Sequence, residues 1–208
     1  VKPGRVIDDF VSFTDFAPTF LEASGVGIPA AVTGRSLMPL LTAAGSGQID
    51  PARSHAVFGI ERHFPGGRPN GAGYPSRAIR SKNYLYIRNL MPGNSPASDH
   101  PGPVWPSDDP VGGYGDTDGG PAKTYLYTHR KEHAELFRLA FGKRPAEELY
   151  HVTDDPYNMK NLAGDPAHAA AKKEHAELLD KHLLRTQDPR ATGRGQELDD
   201  VMRRFPKP

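Results

Sequence analysis

The chain has 208 residues, a formal net charge of +1 and no cysteine. A chain of this length can bury one hydrophobic core of moderate size, and the near-zero charge gives no preference for nucleic acid or membrane surfaces. The lack of cysteine excludes disulfides, cysteine-based metal sites and a cysteine nucleophile within these residues. Glycine (22) and proline (21) are both frequent, so we expect a folded protein with long loops.

The N-terminal region predicts a strand followed by two helices. The first ten residues, VKPGRVIDDF, begin abruptly, which suggests a piece of a longer protein. Residues 10–13 are strand-like, and the sequence FAPTFLEASG at 16–25 predicts a helix that ends at its glycine. The apolar residues of this helix, Phe16 and Phe20 among them, are expected to form one buried stripe. A shorter helix is predicted at 36–41, before a linker rich in glycine and serine.

Residues 54–90 are the most informative stretch of the chain. Strands are predicted at Ala56–Ile60, Arg77–Arg80 and Tyr84–Arg88. A loop rich in glycine, proline and asparagine separates the first two strands. This pattern predicts a β-meander whose first turn has grown into a functional loop, because rigid strands that flank a charged loop commonly position binding residues.

The C-terminal half begins with an irregular segment. Residues 91–121 are too long for an ordinary connection, so they form either a binding loop or a disordered segment, and the sequence leaves both open. A helix is predicted at 122–141 and a strand at 148–152. Asp165-Pro166 is typical of a helix start, and the helix is expected to extend to about residue 185. The remaining residues are polar, with one short helical patch.

Candidate recognition residues cluster beside the first two predicted strands. Glu61, Arg62 and His63 follow the first strand directly, whereas Arg77 and Arg80 lie on the second. Arginine and histidine in one place suit an anion such as sulfate or carboxylate, which they bind through charge-assisted hydrogen bonds. A surface cluster of salt bridges without a ligand explains the same residue types, and the sequence leaves these two interpretations open.

Two histidine patterns raise the question of a metal site. His129, Glu132 and His133 match H-x-x-E-H, in which two histidines on one helix face share a zinc. Because the string Lys-Glu-His-Ala-Glu-Leu occurs twice in the chain, we interpret this match as chance on a charged helix. A second set recurs every seven residues, about 10 Å apart along a helix and too far apart for one ion, so a solvated face is expected. The second set is His168, His175 and His182. We therefore predict no metal ligand.

Several separated motifs resemble those of type I sulfatases, in the same order. Residues 11–25 look like the family's Asp-x-x-Pro-Thr-x-x-x-x-x-Gly segment, and residues 34–37 like the Gly-x-Ser-Leu that follows it. Residues 148–163 contain the Glu-Leu-Tyr, Asp-Pro and Asn-Leu-Ala of a C-terminal signature. Residues 73–89 and 186–189 are most similar to the heparan N-sulfatase (sulfamidase) branch. The resemblance covers nearly the whole chain, and only to the C-terminal part of such an enzyme.

The resemblance implies an α/β fold. Residues 1–50 would be the end of an alkaline-phosphatase-like α/β domain, and residues 51–190 a small C-terminal subdomain with an antiparallel sheet and a packed helix. Residues 191–208 would be a polar tail. This portion would supply substrate recognition, with Glu61, Arg62, His63, Arg77 and Arg80 as the substrate-binding residues. The formylglycine nucleophile and the calcium ligands of the family would lie upstream of residue 1, so no catalytic residue or metal ligand is assigned here.

The function implied by the resemblance is hydrolysis of sulfate esters or sulfamates in sulfated sugars by a longer enzyme. The expected partners are a small sulfated substrate and the rest of the catalytic domain, with a homo-oligomer left open and with no nucleic acid or membrane. An extracytoplasmic location, periplasmic or secreted, is a family-level expectation. Two alternatives remain. One is a stand-alone anion- or carbohydrate-binding module, for which Trp105 and Tyr114 would suit sugar stacking. The other is a phosphoester or phosphonate hydrolase of the same superfamily, which only the upstream sequence could distinguish.

Overall fold

The computed structural model describes residues 1–63, 68, 71–102, 104 and 108–200. These residues belong to two units, each assembled from three segments of the chain. The first unit comprises Val1–Phe58, Ile79–Tyr86 and Leu149–His182. The second unit comprises Gly59–Ala78, Ile87–Glu148 and Leu183–Pro208. The predicted boundaries at residues 50 and 190 stay a prediction.

The predicted meander is confirmed as part of a four-stranded antiparallel sheet with the strand order β1-β2-β3-β4. The strands are β1 (His55–Ile60), β2 (Ser76–Ser81), β3 (Tyr84–Asn89) and β4 (Glu147–His151). Backbone hydrogen bonds from Asn89 N to Ala146 O (2.8 Å) and from Val152 N to Asn83 O (2.9 Å) set the antiparallel register of β3 and β4. Each strand contributes residues to both units.

The helices are α1 (Phe16–Ala23), α2 (Met38–Thr42), α3 (Pro121–Thr128), α4 (Ala134–Phe141), α5 (Ala169–Arg185) and α6 (Gly195–Asp200). Short 3-10 turns at Phe13–Asp15 and Pro166–His168 precede α1 and α5. The helix start at Asp165 is confirmed, because its Oδ1 accepts a hydrogen bond from Ala167 N at 2.9 Å. None of these helices combines the length and apolar character needed to cross a bilayer.

The prediction of a strand at residues 10–13 is wrong. Ser12 Oγ accepts a hydrogen bond from Thr14 N (3.3 Å), and Ser12 N donates to Asp15 Oδ2 (3.1 Å). This reciprocal capping box begins a helical turn, because it satisfies backbone donors that a strand would have to pair elsewhere.

The prediction of a buried apolar stripe on α1 is also wrong. Phe16 and Phe20 are 42% and 67% exposed, whereas Pro18 and Thr19 are buried. Thr19 Oγ1 donates to Asp15 O and accepts from Leu37 N at 2.8 Å. In the first unit α1 is therefore held by buried Pro18 and by the hydrogen bonds of Thr19, and not by its phenylalanines.

The single helix predicted at 122–141 is interrupted between α3 and α4. Tyr127 on α3 and Phe137 on α4 both approach the Tyr114 ring, with centroids at 6.4 and 6.1 Å. The break lets two short helices contribute to one aromatic cluster, a tertiary preference that the local pattern could not reveal. His129 and His133 lie in the interrupted segment, outside both helices.

Before α3 begins at Pro121, the described part of the loop predicted at 91–121 has no regular helix or strand and is held by buried polar groups. Lys123 is 4% exposed, and its Nζ donates to the carbonyls of Tyr114 (3.1 Å) and Thr117 (2.9 Å). The same ammonium pairs with Asp109 Oδ2 at 2.7 Å. Burial of a charged group requires such partners, so these contacts fix the path of the loop.

The histidine stripe on α5 is not a solvated face. His175 is 4% exposed, and its ring nitrogens lie 2.7 Å from Ala171 O and 2.8 Å from Ser81 Oγ. His168 Nδ1 lies 3.2 Å from the Tyr84 hydroxyl. Within the first unit these histidines therefore belong to the packing of α5, which the seven-residue spacing alone could not distinguish from an exposed face.

Candidate functional site

Of the predicted recognition residues, Glu61 and Arg77 form an ion pair within the second unit. Arg77 Nη2 lies 2.5 Å from Glu61 Oε1, and Arg77 Nε lies 2.8 Å from Asp188 Oδ2. Burial lowers the pKa of the Arg77 guanidinium, but its hydrogen bonds to both carboxylates outweigh this and raise the pKa above its usual value. The main hydrogen-bonding capacity of Arg77 is thus committed to protein carboxylates.

The ion pair extends into a network that includes the segment after α5. Arg190 Nη2 bridges Glu61 Oε2 (2.6 Å) and Asp199 Oδ1 (2.7 Å). Charges therefore alternate in the order Asp188, Arg77, Glu61, Arg190 and Asp199. The salt-bridge interpretation left open by the sequence describes Glu61 and Arg77 in this arrangement. Asp188 is 111 residues from Arg77 in the chain, so local sequence reasoning had no signal for their contact.

Arg80 belongs to the first unit rather than to this network. Its Nη1 is buried and has no hydrogen-bond partner among the described residues. Burial disfavours the charged form of the guanidinium and so lowers the pKa of Arg80.

The other two predicted residues, Arg62 and His63, line a cavity of about 400 Å³ that lies within the second unit. The polar side chains that share this cavity include Tyr74, Asp116, Arg144 and Glu148. The structure thus brings Arg62 and His63 together with residues from three distant parts of the chain, and it places Arg77 and Arg80 outside this lining.

A hydrogen bond of Arg62 and a close backbone contact at Gly73 position residues that line the cavity. Arg62 and His63 follow the end of β1, and Arg62 Nη2 donates to Leu198 O at 2.8 Å. Tyr74 precedes β2, next to Gly73, where an added Cβ would lie 2.3 Å from Glu61 O. Only glycine allows so close an approach of the two backbone segments, and this brings Tyr74 beside the residues that follow β1.

Asp116 comes from the irregular loop and is anchored on one side only. Its Oδ2 pairs with Arg68 Nη1 at 2.8 Å, and both side chains are nearly fully buried. Its Oδ1 has no hydrogen bond within the described structure, and His63 Nδ1 lies 3.9 Å from it. The carboxylate is therefore fixed in position and keeps an acceptor available.

Tyr74 is a buried donor in the same cavity. Its hydroxyl has no hydrogen-bond partner among the residues described. Burial, reinforced by the negative charge of Glu148, raises the pKa of Tyr74 to about 12. The hydroxyl therefore keeps its proton at neutral pH and can donate it in a hydrogen bond. Arg62 Nε is likewise buried and unpartnered there.

This arrangement suits binding of a polar, partly anionic molecule. Arginine groups can pair with an anion, and the Asp116 and Tyr74 oxygens can bind hydroxyl groups. The described residues contain no group of three or more histidines and carboxylates placed to hold a metal ion. A calcium ion, which the family resemblance implies, therefore has no fitting site among them.

Sequence reasoning missed Tyr74, Asp116 and Arg144. Tyr74 lies in residues 73–89, and the similarity of this stretch to the sulfamidase branch was its only local signal. Asp116 and Arg144 lie in irregular segments, where no periodicity distinguishes a functional residue. The suggestion that Tyr114 offers an exposed stacking surface is wrong, because its half-buried ring stacks on His100 at 5.0 Å between centroids. Trp105 lies outside the described residues.

Comparison with known proteins gives the family context. Residues 1–65 match the family model for N-sulphoglucosamine sulphohydrolase, C-terminal. The chain is also similar to known sulfatases over most of its length. It is 29% identical over 174 residues to an ulvan-active sulfatase of Formosa agariphila, covering 84% of this chain and 29% of that protein. It is 26% identical over 205 residues to human N-sulphoglucosamine sulphohydrolase, covering 89% of this chain and 34% of that protein.

The fold agrees with this family. A solved structure of a Bacteroides fragilis protein assigned as a sulfatase has a TM-score of 0.54 and 16% identity, and the match covers 92% of this chain and 29% of that protein. The expected antiparallel sheet with helices is confirmed, and the TM-score shows that the chain shares the fold of the matched portion of that structure. The chain spans 29% and 34% of the lengths of the two curated sulfatases compared above.

Proposed function

We propose that this chain is the substrate-recognition portion of a sulfatase that hydrolyses sulfate esters or sulfamates of sulfated sugars. The observation that carries the proposal is the cavity beside β1, where Arg62 and His63 lie next to buried hydrogen-bonding groups. The relatives support the substrate class, since their names refer to ulvan and to N-sulphoglucosamine. The nucleophile and the calcium site belong to a part of the enzyme outside this chain.

In this proposal Arg62 and His63 contact the substrate directly. Arg62 Nε is buried and unpartnered among the described residues, so it can donate to an anionic or hydroxyl oxygen. Glu61 and Arg77 act through the ion network, which fixes the chain immediately before Arg62. Arg80 is the weakest member, since its support is a buried unpartnered Nη1 in the other unit.

The proposed partner of the first unit is the rest of the catalytic domain. Phe13, Phe16 and Phe20 are 87%, 42% and 67% exposed, and successive ring centroids lie 5.5 and 6.3 Å apart. A contiguous exposed aromatic surface is unusual on a solvated face and is typical of a contact surface. An extracytoplasmic location is part of the proposal on family grounds, and a homo-oligomer is compatible with it.

The role of the cavity can be tested in the full-length enzyme by His63→Ala. We expect kcat/KM for a sulfated sugar to fall at least about 10-fold and kcat/KM for a small aryl sulfate to change less than about 2-fold. His133→Ala, which removes a histidine beside Tyr125 and outside the cavity lining, is the matched control. Equal losses on both substrates would contradict a recognition role. The 208 residues alone are expected to hydrolyse neither substrate.

A stand-alone carbohydrate-binding module is the second candidate. The observation in its favour is that the described residues lining the cavity all belong to one unit. Calorimetry of the chain with sulfated oligosaccharides distinguishes the two candidates. A part of an enzyme should bind them weakly, whereas tight binding by the chain together with no turnover by the longer protein favours the module.

A further inference from the structure

Two residues that line the cavity, Tyr74 and Asp116, each carry a buried oxygen atom that recognition of an anion does not use. Tyr74 is 8% exposed, and the Asp116 side chain is 4% exposed. The Tyr74 hydroxyl and Asp116 Oδ1 both lack hydrogen-bond partners among the described residues. Buried polar groups in folded proteins are normally paired, so two unpaired oxygens in one cavity call for a physical explanation.

Both oxygens are held in place before any ligand arrives. The Arg68 contact at 2.8 Å engages Asp116 Oδ2 and leaves Oδ1 available in the cavity wall. Tyr74 is restrained by the close backbone contact at Gly73 and by the hydrogen bond from Leu90 N to Pro75 O at 2.9 Å. Such preorganisation lowers the entropy cost of binding a partner with matching groups.

The charges of the two groups restrict the ligand class. Asp116 Oδ1 repels a sulfate or carboxylate oxygen but accepts a hydrogen bond from a hydroxyl. The lining contains two arginines, Arg62 and Arg144, and two carboxylates, Asp116 and Glu148, so these charges balance and a cationic ligand is not favoured. A neutral hydroxyl group therefore matches Asp116 Oδ1 best, and the Tyr74 hydroxyl can bind a second one.

The size of the cavity fits the same ligand. Its volume of about 400 Å³ lies near the lower end of the range for small-molecule sites, roughly 300–1,000 Å³, so it suits a ligand about as large as one sugar ring. We propose that Tyr74 and Asp116 bind hydroxyl groups of one sugar ring and make the site select sugar sulfates over sulfated molecules without hydroxyls. This inference rests on the proposed function for its substrate and adds two specificity-determining residues.

The test uses Tyr74→Phe in the full-length enzyme. We expect kcat/KM for a sulfated monosaccharide to fall about 10-fold, the effect of losing one useful hydrogen bond, while kcat/KM for an aryl sulfate stays within about 2-fold. Tyr125→Phe is the matched control, since its hydroxyl lies 3.1 Å from His133 Nε2, outside the cavity lining. Asp116→Asn, with its thermal melting measured in parallel, serves as the second variant because it removes the charge at nearly constant volume.

Binding of the unsulfated monosaccharide, followed by saturation-transfer NMR, separates this inference from the proposed function. Binding that weakens in Tyr74→Phe, in a protein that hydrolyses neither substrate, would support the sugar site and overturn the proposed function. Sulfatase turnover that is unchanged on the sugar in both folded variants would overturn the inference and leave the proposed function standing. Equal losses of kcat/KM on the sugar and the aryl sulfate would also overturn the inference.

Discussion

Two buried polar clusters, one in each unit, differ in how their hydrogen bonds are satisfied. In the first unit Arg53 is 3% exposed, its Nη1 donates to Asp15 Oδ2 at 2.8 Å, and its Nη2 donates to the carbonyls of Arg35 (2.9 Å) and Ser36 (2.8 Å). In the second unit three residues that line the cavity, Arg62, Tyr74 and Asp116, each have a buried polar atom without a hydrogen-bond partner among the described residues. The comparison separates a cluster that stabilises the fold from a cluster that binds a ligand in our proposal.

The lowered pKa of Asp15 shows that the hydrogen bonds of the first cluster compensate for the burial of its charge. Burial alone would raise the pKa of this carboxyl, but the backbone N–H groups of Arg35 and Ser12, together with Arg53, outweigh burial and lower it. Asp15 is therefore charged and fully paired at neutral pH. Such a network is costly to break from either side, because removal of one partner leaves a buried charge.

The largest expected effect on stability comes from removing Arg53 from the fully hydrogen-bonded cluster of the first unit. Arg53→Met should lower the free energy of unfolding by about 3–5 kcal/mol, since it leaves the buried Asp15 carboxylate without its ion-pair partner. The measurement is urea denaturation followed by circular dichroism. Lys173→Met is the control, because its ion pair with Glu177 is solvent-exposed and should contribute no more than about 0.5 kcal/mol. A loss below about 1 kcal/mol for Arg53→Met would contradict the claim that the Arg53–Asp15 cluster stabilises the fold.

An intermediate and pH-dependent effect is expected at Asp188 in the ion network beside the cavity. Burial raises the pKa of this carboxyl, but Arg77 and the backbone N–H groups of Arg190 and Ala191 outweigh it and hold the pKa below the ordinary value of 3.8. Because the folded-state pKa is depressed, the stabilisation is complete above the unfolded-state pKa and is lost as the pH falls through the folded-state value.

Asp188→Asn should therefore lower the free energy of unfolding by about 1.5–3 kcal/mol at pH 7, and the difference from wild type should shrink below about pH 4. Denaturation curves collected between pH 7 and pH 3 give this difference directly. A difference that stays constant over the whole range would show that the charge of Asp188 contributes nothing.

The smallest effect on stability is expected inside the cavity. Tyr74→Phe should leave the free energy of unfolding unchanged or raise it by up to about 1 kcal/mol, since the buried hydroxyl it removes has no hydrogen-bond partner among the described residues. Tyr84→Phe is the matched control and should lose stability, because its hydroxyl lies 3.2 Å from His168 Nδ1. A clear loss for Tyr74→Phe would mean that its hydroxyl has a structural partner, and the contrast between the clusters would fail.

The sequence predicts the strands well because alternation and turn residues act locally. The ranges 56–60, 77–80 and 84–88 fall within β1, β2 and β3 for this reason. Burial across the tertiary structure is not local: Phe20 looks like a core residue, yet it is exposed, whereas Thr19 on the same helix is buried. A hydrophobic pattern identifies an apolar face but does not say whether this chain covers it.

The candidate site shows the same limit. Arg62 and His63 could be found because they directly follow a recognisable strand and carry the right chemistry. Arg77 carries the same chemistry, but its carboxylate partner Asp188 is distant in the chain, so an ion pair and a free anion-binding group look identical in the sequence. Asp116 had no local pattern at all, and only the packing of its loop places it in the cavity.

A crystal structure of the full-length protein soaked with a non-hydrolysable sulfated monosaccharide tests the central claim most directly. The account predicts that the sugar ring occupies the cavity, with the Tyr74 hydroxyl and Asp116 Oδ1 within about 3 Å of sugar hydroxyl oxygens and Arg62 facing the anionic side. A ring bound elsewhere, with only water between Tyr74 and Asp116, would contradict it.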